Sequence, residues 1–104
     1  MADHFDLEIF SDASLHGWGI FCNGESTRGW WTSKQRVCHI NYLELYAIFL
    51  GLQCFAKNLK DISILIRTDN TTALAYINRM SSVQHELLNN LAREIWTWCE
   101  SRNL

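Results

Sequence analysis

The chain has 104 residues, 48% hydrophobic and 19% charged, with a formal net charge of -2. That length suits a single domain over residues 1–104, and the apolar share is enough for a core, which excludes wholesale disorder. No dense Lys/Arg run is present, which excludes a protein that holds nucleic acid by its own charge alone; such a partner needs metal ions or attached domains to offset phosphate.

Residues 6–12 alternate apolar and polar, with Leu7 and Ile9 on one face, and predict a first strand. A turn over 13–17 leads to a second strand over 17–23, rich in aromatic and branched side chains. Asn23-Gly24 is a hairpin signal, because both residues tolerate positive φ, and a third strand follows over 26–32. The period then changes. Apolar residues at 43, 46, 47, 50 and 54 follow helical spacing through Ala56, with Asn41 as the expected N-cap and Glu44 completing a capping box. The apolar run 62–68 predicts a fourth strand, buried on both faces and parallel to an earlier one. A helix opened by Asp69-Asn70-Thr71-Thr72 and running to about Arg79, and a last helix over 83–101, complete the order. The second is opened by a Ser81/Gln84 capping box and carries a stripe at 88, 91, 92, 95, 98 and 99. The fold class is α/β: an antiparallel three-stranded meander plus one parallel strand in a mixed sheet, with flanking helices.

Cys22, Cys38, Cys54 and Cys99 form no C-x-x-C pair and sit among apolar neighbours, so structural zinc and a disulfide framework are disfavoured against buried free thiols. No signal-peptide pattern opens the chain, and no apolar stretch approaches the roughly 20 residues that cross a bilayer. An intracellular place, cytoplasm or nucleus, and no membrane partner are expected.

Three carboxylates fall where ligands bind in open α/β sheets, outside the carboxyl ends of strands. Asp12 ends the first strand, Asp69 ends the fourth, and Glu44 lies early in the crossover helix. Converging carboxylates repel unless cations neutralise them or their pKa values rise. Hard oxygen ligands suit Mg²⁺ or Mn²⁺, and two such ions about 3.5–4 Å apart can clamp a phosphodiester for hydrolysis. Taken singly, a turn residue, a helix cap and an N-cap account for the three; together they point to a metal site. Trp30 and Trp31 could stack on bases, against the commoner role of packing. His39 and His85 read as exposed or capping residues, and Thr71 and Thr72 as first-turn residues near Asp69.

The stretches DASLHGWGIF, HINYLELYAIFLGL, IRTDNTTALAYINR and LAREIWTWC resemble the ribonuclease H domain of reverse transcriptases, nearest the DIRS and gypsy-type retrotransposons. The resemblance runs from about Leu7 to Trp98, with TDNTTALAYIN its most specific segment. It implies an RNase H-like fold and metal-dependent cleavage of the RNA strand of an RNA/DNA hybrid. It places Asp12, Glu44 and Asp69 at the family's first three catalytic and metal-binding positions. Asp12 is then the bridge between two Mg²⁺ (or Mn²⁺) ions; Glu44 and Asp69 hold the ion near the leaving 3′ oxygen.

The resemblance also implies a further strand and helix bringing a fourth aspartate, whereas no Asp follows Asp69 and the given sequence stops at Leu104. Ser81-Ser82 stands where related domains often have glycine. On this reading the chain is a C-terminally truncated domain with an incomplete carboxylate set. Two functions are therefore expected: an RNase H-type endoribonuclease, or a domesticated, catalytically impaired module for protein interaction or self-assembly. A transposase or integrase relative is a weaker third. The missing strand leaves residues 62–68 as an edge for a homodimer or a partner strand.

Overall fold

The computed structural model describes residues 4–70, 73 and 86–104. Its sheet has four strands: β1 (Leu7–Ala13), β2 (Gly17–Cys22), β3 (Glu25–Trp30) and β4 (Ile64–Arg67), ordered β3-β2-β1-β4. β1–β2 and β2–β3 are antiparallel and β1–β4 is parallel. This is the expected mixed α/β sheet of an RNase H-like fold. At the β2–β3 turn, Asn23 and Gly24 have φ of 53° and 78°, the left-handed pair that a tight hairpin requires.

Three helices are described: α1 (Ser33–Arg36), α2 (Ile40–Phe55) and α3 (Glu86–Glu100). α1 was not foreseen, although Thr32 and Gln35 form the capping box that starts it. The expected N-cap Asn41 is corrected: the cap is His39, whose Nδ1 accepts the Asn41 N–H at 3.0 Å. Helix α2 therefore starts earlier than expected, and Glu44 completes no capping box. The helix expected to open at residues 69–72 and the Ser81/Gln84 cap lie outside the described residues, apart from Asp69, Asn70 and Ala73; Asn70 Oδ1 accepts the Ala73 N–H at 2.7 Å as an N-cap would.

Alternation along β1 decides the layering. Leu7, Ile9 and Ser11 are buried on the side where α2 packs, while Phe10 and Asp12 face the other way and are exposed. Ile9, Ile20, Leu45, Ile48 and Leu52 form the core with Leu88, Leu91, Ala92 and Ile95 of α3. Each full side chain buried there contributes about 1.5–3 kcal/mol. α2 lies so close to the sheet that a Cβ on Gly51 would sit 3.0 Å from Ile9 and 3.3 Å from Ile20. Gly51→Val is accordingly expected to cost about 1–3 kcal/mol by overpacking, read as a lower urea midpoint.

The opposite sheet face is open. Phe10 and Phe21, 41% and 47% exposed, meet edge to face there with centroids 6.0 Å apart. Next to them Arg67 pairs with Glu8. Strand β4 is thus not buried on both faces as expected: its residues are half-buried, and Arg67 is exposed. The physical reason is position, since β4 is an outer strand of the described sheet. All four cysteines are free, but only Cys22 is buried and Cys54 is exposed, which corrects the expectation of uniformly buried thiols. Among the described residues, no helix is long and apolar enough to cross a membrane.

Candidate active site

Parallel pairing of β1 with β4 sets the site. It brings the carboxyl ends of both strands, and hence Asp12 and Asp69, to one edge of the sheet. α2 then delivers Glu44 from beneath. Asp12 is exposed, and its Oδ1 accepts the N–H of Ala13 at 2.9 Å. The same N–H also reaches Glu44 Oε1 at 3.3 Å, so the two carboxylates share one donor. The second Glu44 oxygen accepts the Thr68 hydroxyl at 3.4 Å. Thr68 Oγ in turn accepts the Asn70 N–H at 3.3 Å, and the Asn70 side-chain amide donates to Asn41 Oδ1 at 3.1 Å. Asp69 is therefore bracketed by two residues whose bonds lead back to the first turns of α2.

Glu44 is the electrostatic centre. It is only 8% exposed. Burial, then the charge of Asp12, raises its pKa above the ordinary carboxylate value, and Asp69 adds to the rise; the Ala13 N–H and the Thr68 hydroxyl oppose it. The three acids thus feel one another, and the charge missing from the crevice is positive. Among the described residues, no group of three or more His, Cys, Asp or Glu forms a ready-made metal-ion cage. The donor set itself, three hard carboxylates with a buried one under repulsion, suits Mg²⁺ or Mn²⁺.

Two grooves meet at Asp12. One, of about 1070 Å³, runs over Phe10, Phe21 and Leu65 to Asp69. The other, of about 360 Å³, runs over Gly17, Gly19 and Arg28 to Trp30. The two tryptophans separate sharply. Trp31 is 4% exposed, donates its indole N–H to the Ser14 carbonyl at 2.8 Å and packs edge to face on Tyr46. Trp30 is 83% exposed. Thr71, Thr72 and His85 lie outside the described residues.

Sequence reasoning named the three acids but missed Thr68, Asn70 and the Ala13 N–H as their support. The Thr-Asp-Asn triplet was a usable signal, because short polar side chains flanking an acid at a strand end can fix its backbone. A sequence model of a family described as reverse transcriptase-like matches residues 12–103. No curated protein matches the chain.

Proposed function

The chain belongs to the reverse transcriptase-like family, and on that premise we infer that it is a retroelement-derived ribonuclease H-like domain. Its proposed reaction is hydrolysis of the RNA strand of an RNA/DNA hybrid inside the cell, with a lineage nearest the DIRS and gypsy-type elements. One observation carries the reading: Glu44 is buried beside Asp12, shares the Ala13 N–H with it, and is pushed upward by both aspartates. Such a site is costly without a cation, and a costly arrangement retained at the sheet's carboxyl edge is a candidate for function.

Asp12, Glu44 and Asp69 are the residues that would hold Mg²⁺ or Mn²⁺. When bound, the ion supplies Lewis acidity and a water acidic enough to attack phosphorus. The chain supplies the rest. The Ala13 N–H fixes one oxygen of each of two carboxylates, and the Thr68 hydroxyl fixes the other oxygen of Glu44. The Asn70–Asn41 bond ties the residue after Asp69 to the helix that carries Glu44. Exposed Asp12, at the meeting of both grooves, is the acid best placed to meet a phosphodiester.

The test is incubation with end-labelled RNA/DNA hybrid and Mg²⁺ or Mn²⁺ beside Asp69→Asn. RNA-strand cleavage lost in the variant is expected. No cleavage by the wild-type chain at high concentration sinks the nuclease reading for this chain.

The open face bearing Phe10 and Phe21, together with the outer strand β4, favours a second reading, a module for protein interaction or self-assembly. It expects the segment 62–68, which contains β4, to pair with a second copy. A sedimentation coefficient that rises with concentration supports this pairing, and a monomer at all concentrations refutes it.

A further inference from the structure

The open face has a second feature that three carboxylates do not explain. Register across the sheet sets Asp12 opposite Gly19 and Gly19 opposite Arg28. One position along, Gly17 lies opposite Trp30. All of these share one face, because Gly19 and Gly17 are two residues apart on β2, as Arg28 and Trp30 are on β3. Gly19 leaves a bare floor between the strands, because a Cβ there would have nothing within 4 Å, whereas one on Gly17 would meet the Gly29 carbonyl and the edge of the Trp30 ring. On one side of that floor stands Asp12. On the other stand a cation and an exposed indole.

Neither of these is buried by the fold, although one edge of the Trp30 ring rests over Gly17. Trp30 is 83% exposed, whereas its neighbour Trp31 carries the packing. Arg28 is exposed and makes no hydrogen bond or ion pair to a described residue. From Arg28 to Asp12 is two strand spacings, roughly 10 Å, short enough for one strand of nucleic acid to touch both. A polyanion approaching Asp12 and Asp69 meets repulsion; Arg28 lines both grooves that meet at Asp12, and Arg67, the other cation of the larger one, is paired with Glu8. An indole face stacks on an unpaired base whatever its identity.

We propose that Trp30 and Arg28, across the glycine floor from Asp12, form a nucleotide subsite: a base of an unpaired stretch of the substrate strand, beyond the duplex, stacks on the indole and its phosphate meets the guanidinium. This rests on the nuclease reading and adds where the substrate continues beyond the scissile phosphate.

The test pairs two readouts. The first is binding, by anisotropy in EDTA so that no divalent ion is present, of a fluorescently labelled RNA/DNA hybrid whose RNA strand runs on unpaired beyond the duplex. The second is the KM and kcat of hydrolysis in Mg²⁺. Trp30→Ala is expected to raise Kd and KM about 5- to 100-fold, with kcat nearly unchanged and the melting temperature held. Trp30→Phe should recover most of the loss. Arg28→Gln should weaken binding and lower the slope of log K against log salt by about one, whereas Arg28→Lys should keep the slope. Gly19→Val, which the fold has room for, should block the groove and raise Kd. A wild-type chain that hydrolyses hybrid with Kd and KM unmoved by Trp30→Ala and Arg28→Gln overturns the subsite and leaves the nuclease reading standing. A wild-type chain that neither binds nor hydrolyses hybrid overturns both.

Discussion

Replacing Asp12 with asparagine is expected to lower hydrolysis of an RNA/DNA hybrid by at least about 10²- to 10³-fold, the scale of losing one positioned electrostatic group, while the fold persists. The side chain is exposed and its one hydrogen bond among those described is to the N–H of the next residue, which an asparagine oxygen can also accept. Nothing in the core depends on its charge. Its removal also relieves part of the upward pressure on Glu44, so the metal-free variant should melt no lower than the parent. Single-turnover cleavage and a thermal melt on the same preparation check both halves. Unimpaired cleavage removes Asp12 from the reaction; a large drop in melting temperature makes it structural.

Glu44→Gln should have the second large effect, on the coupling of stability to metal and to pH. Below the ordinary carboxylate pKa, Glu44 is protonated in folded and unfolded chains alike and costs nothing. Between that value and its raised folded value, the folded chain keeps a proton that the unfolded chain has lost, so stability falls as pH rises. Above the folded value the cost of a buried, repelled charge is complete. Glutamine removes the charge. The metal-free variant should therefore melt higher than the parent at neutral pH and lose this part of the pH slope. Mg²⁺ at 100 times its Kd stabilises a chain that binds it only when folded by about 2.7 kcal/mol, or about 10–20 °C for a chain of this size. That gain is expected in the parent and absent in Glu44→Gln. Equal Mg²⁺ shifts in both proteins rule Glu44 out as a ligand.

The parts of the fold that were legible are those governed by local periodicity. Alternation at Leu7 and Ile9 marked β1, and Asn23-Gly24 marked its hairpin neighbour because both residues do take positive φ. The stripe of α3 was readable because one side faces water: Leu88, Leu91, Ala92 and Ile95 are buried while Arg93 and Glu94 are exposed. α2 was harder. It packs on both the sheet and α3, so burial extends from Leu43 through Glu44, Leu45 and Ala47 to Leu52 and outgrows a simple stripe. The apolar run over 62–68 looks the same at an edge and at a centre; its place as an outer strand of the described sheet was legible only through the family resemblance, which implies a further strand that the given sequence lacks. His39 displaced Asn41 as the cap because a ring nitrogen can accept the orphan N–H, a role that propensity ranks low.

The site was legible in position but not in environment. Spacing on strand ends and a helix start placed Asp12, Glu44 and Asp69 on one crevice. Nothing in the residues themselves said that Glu44 is buried, that Ala13 offers its N–H to two carboxylates, or that Trp30 and Trp31 part company. Those depend on strand register and on which face α2 covers.

The most direct test of the three-carboxylate crevice is an NMR titration of the ¹⁵N-labelled chain with substoichiometric Mn²⁺, whose unpaired electrons broaden nearby amide signals. Selective broadening at residues 12–13, 44 and 68–70, displaced by excess Mg²⁺ and abolished in Glu44→Gln, is the expected result. Broadening centred on Glu86, Glu94 and Glu100 of α3, or spread evenly over surface acids, would contradict a metal site at Asp12, Glu44 and Asp69.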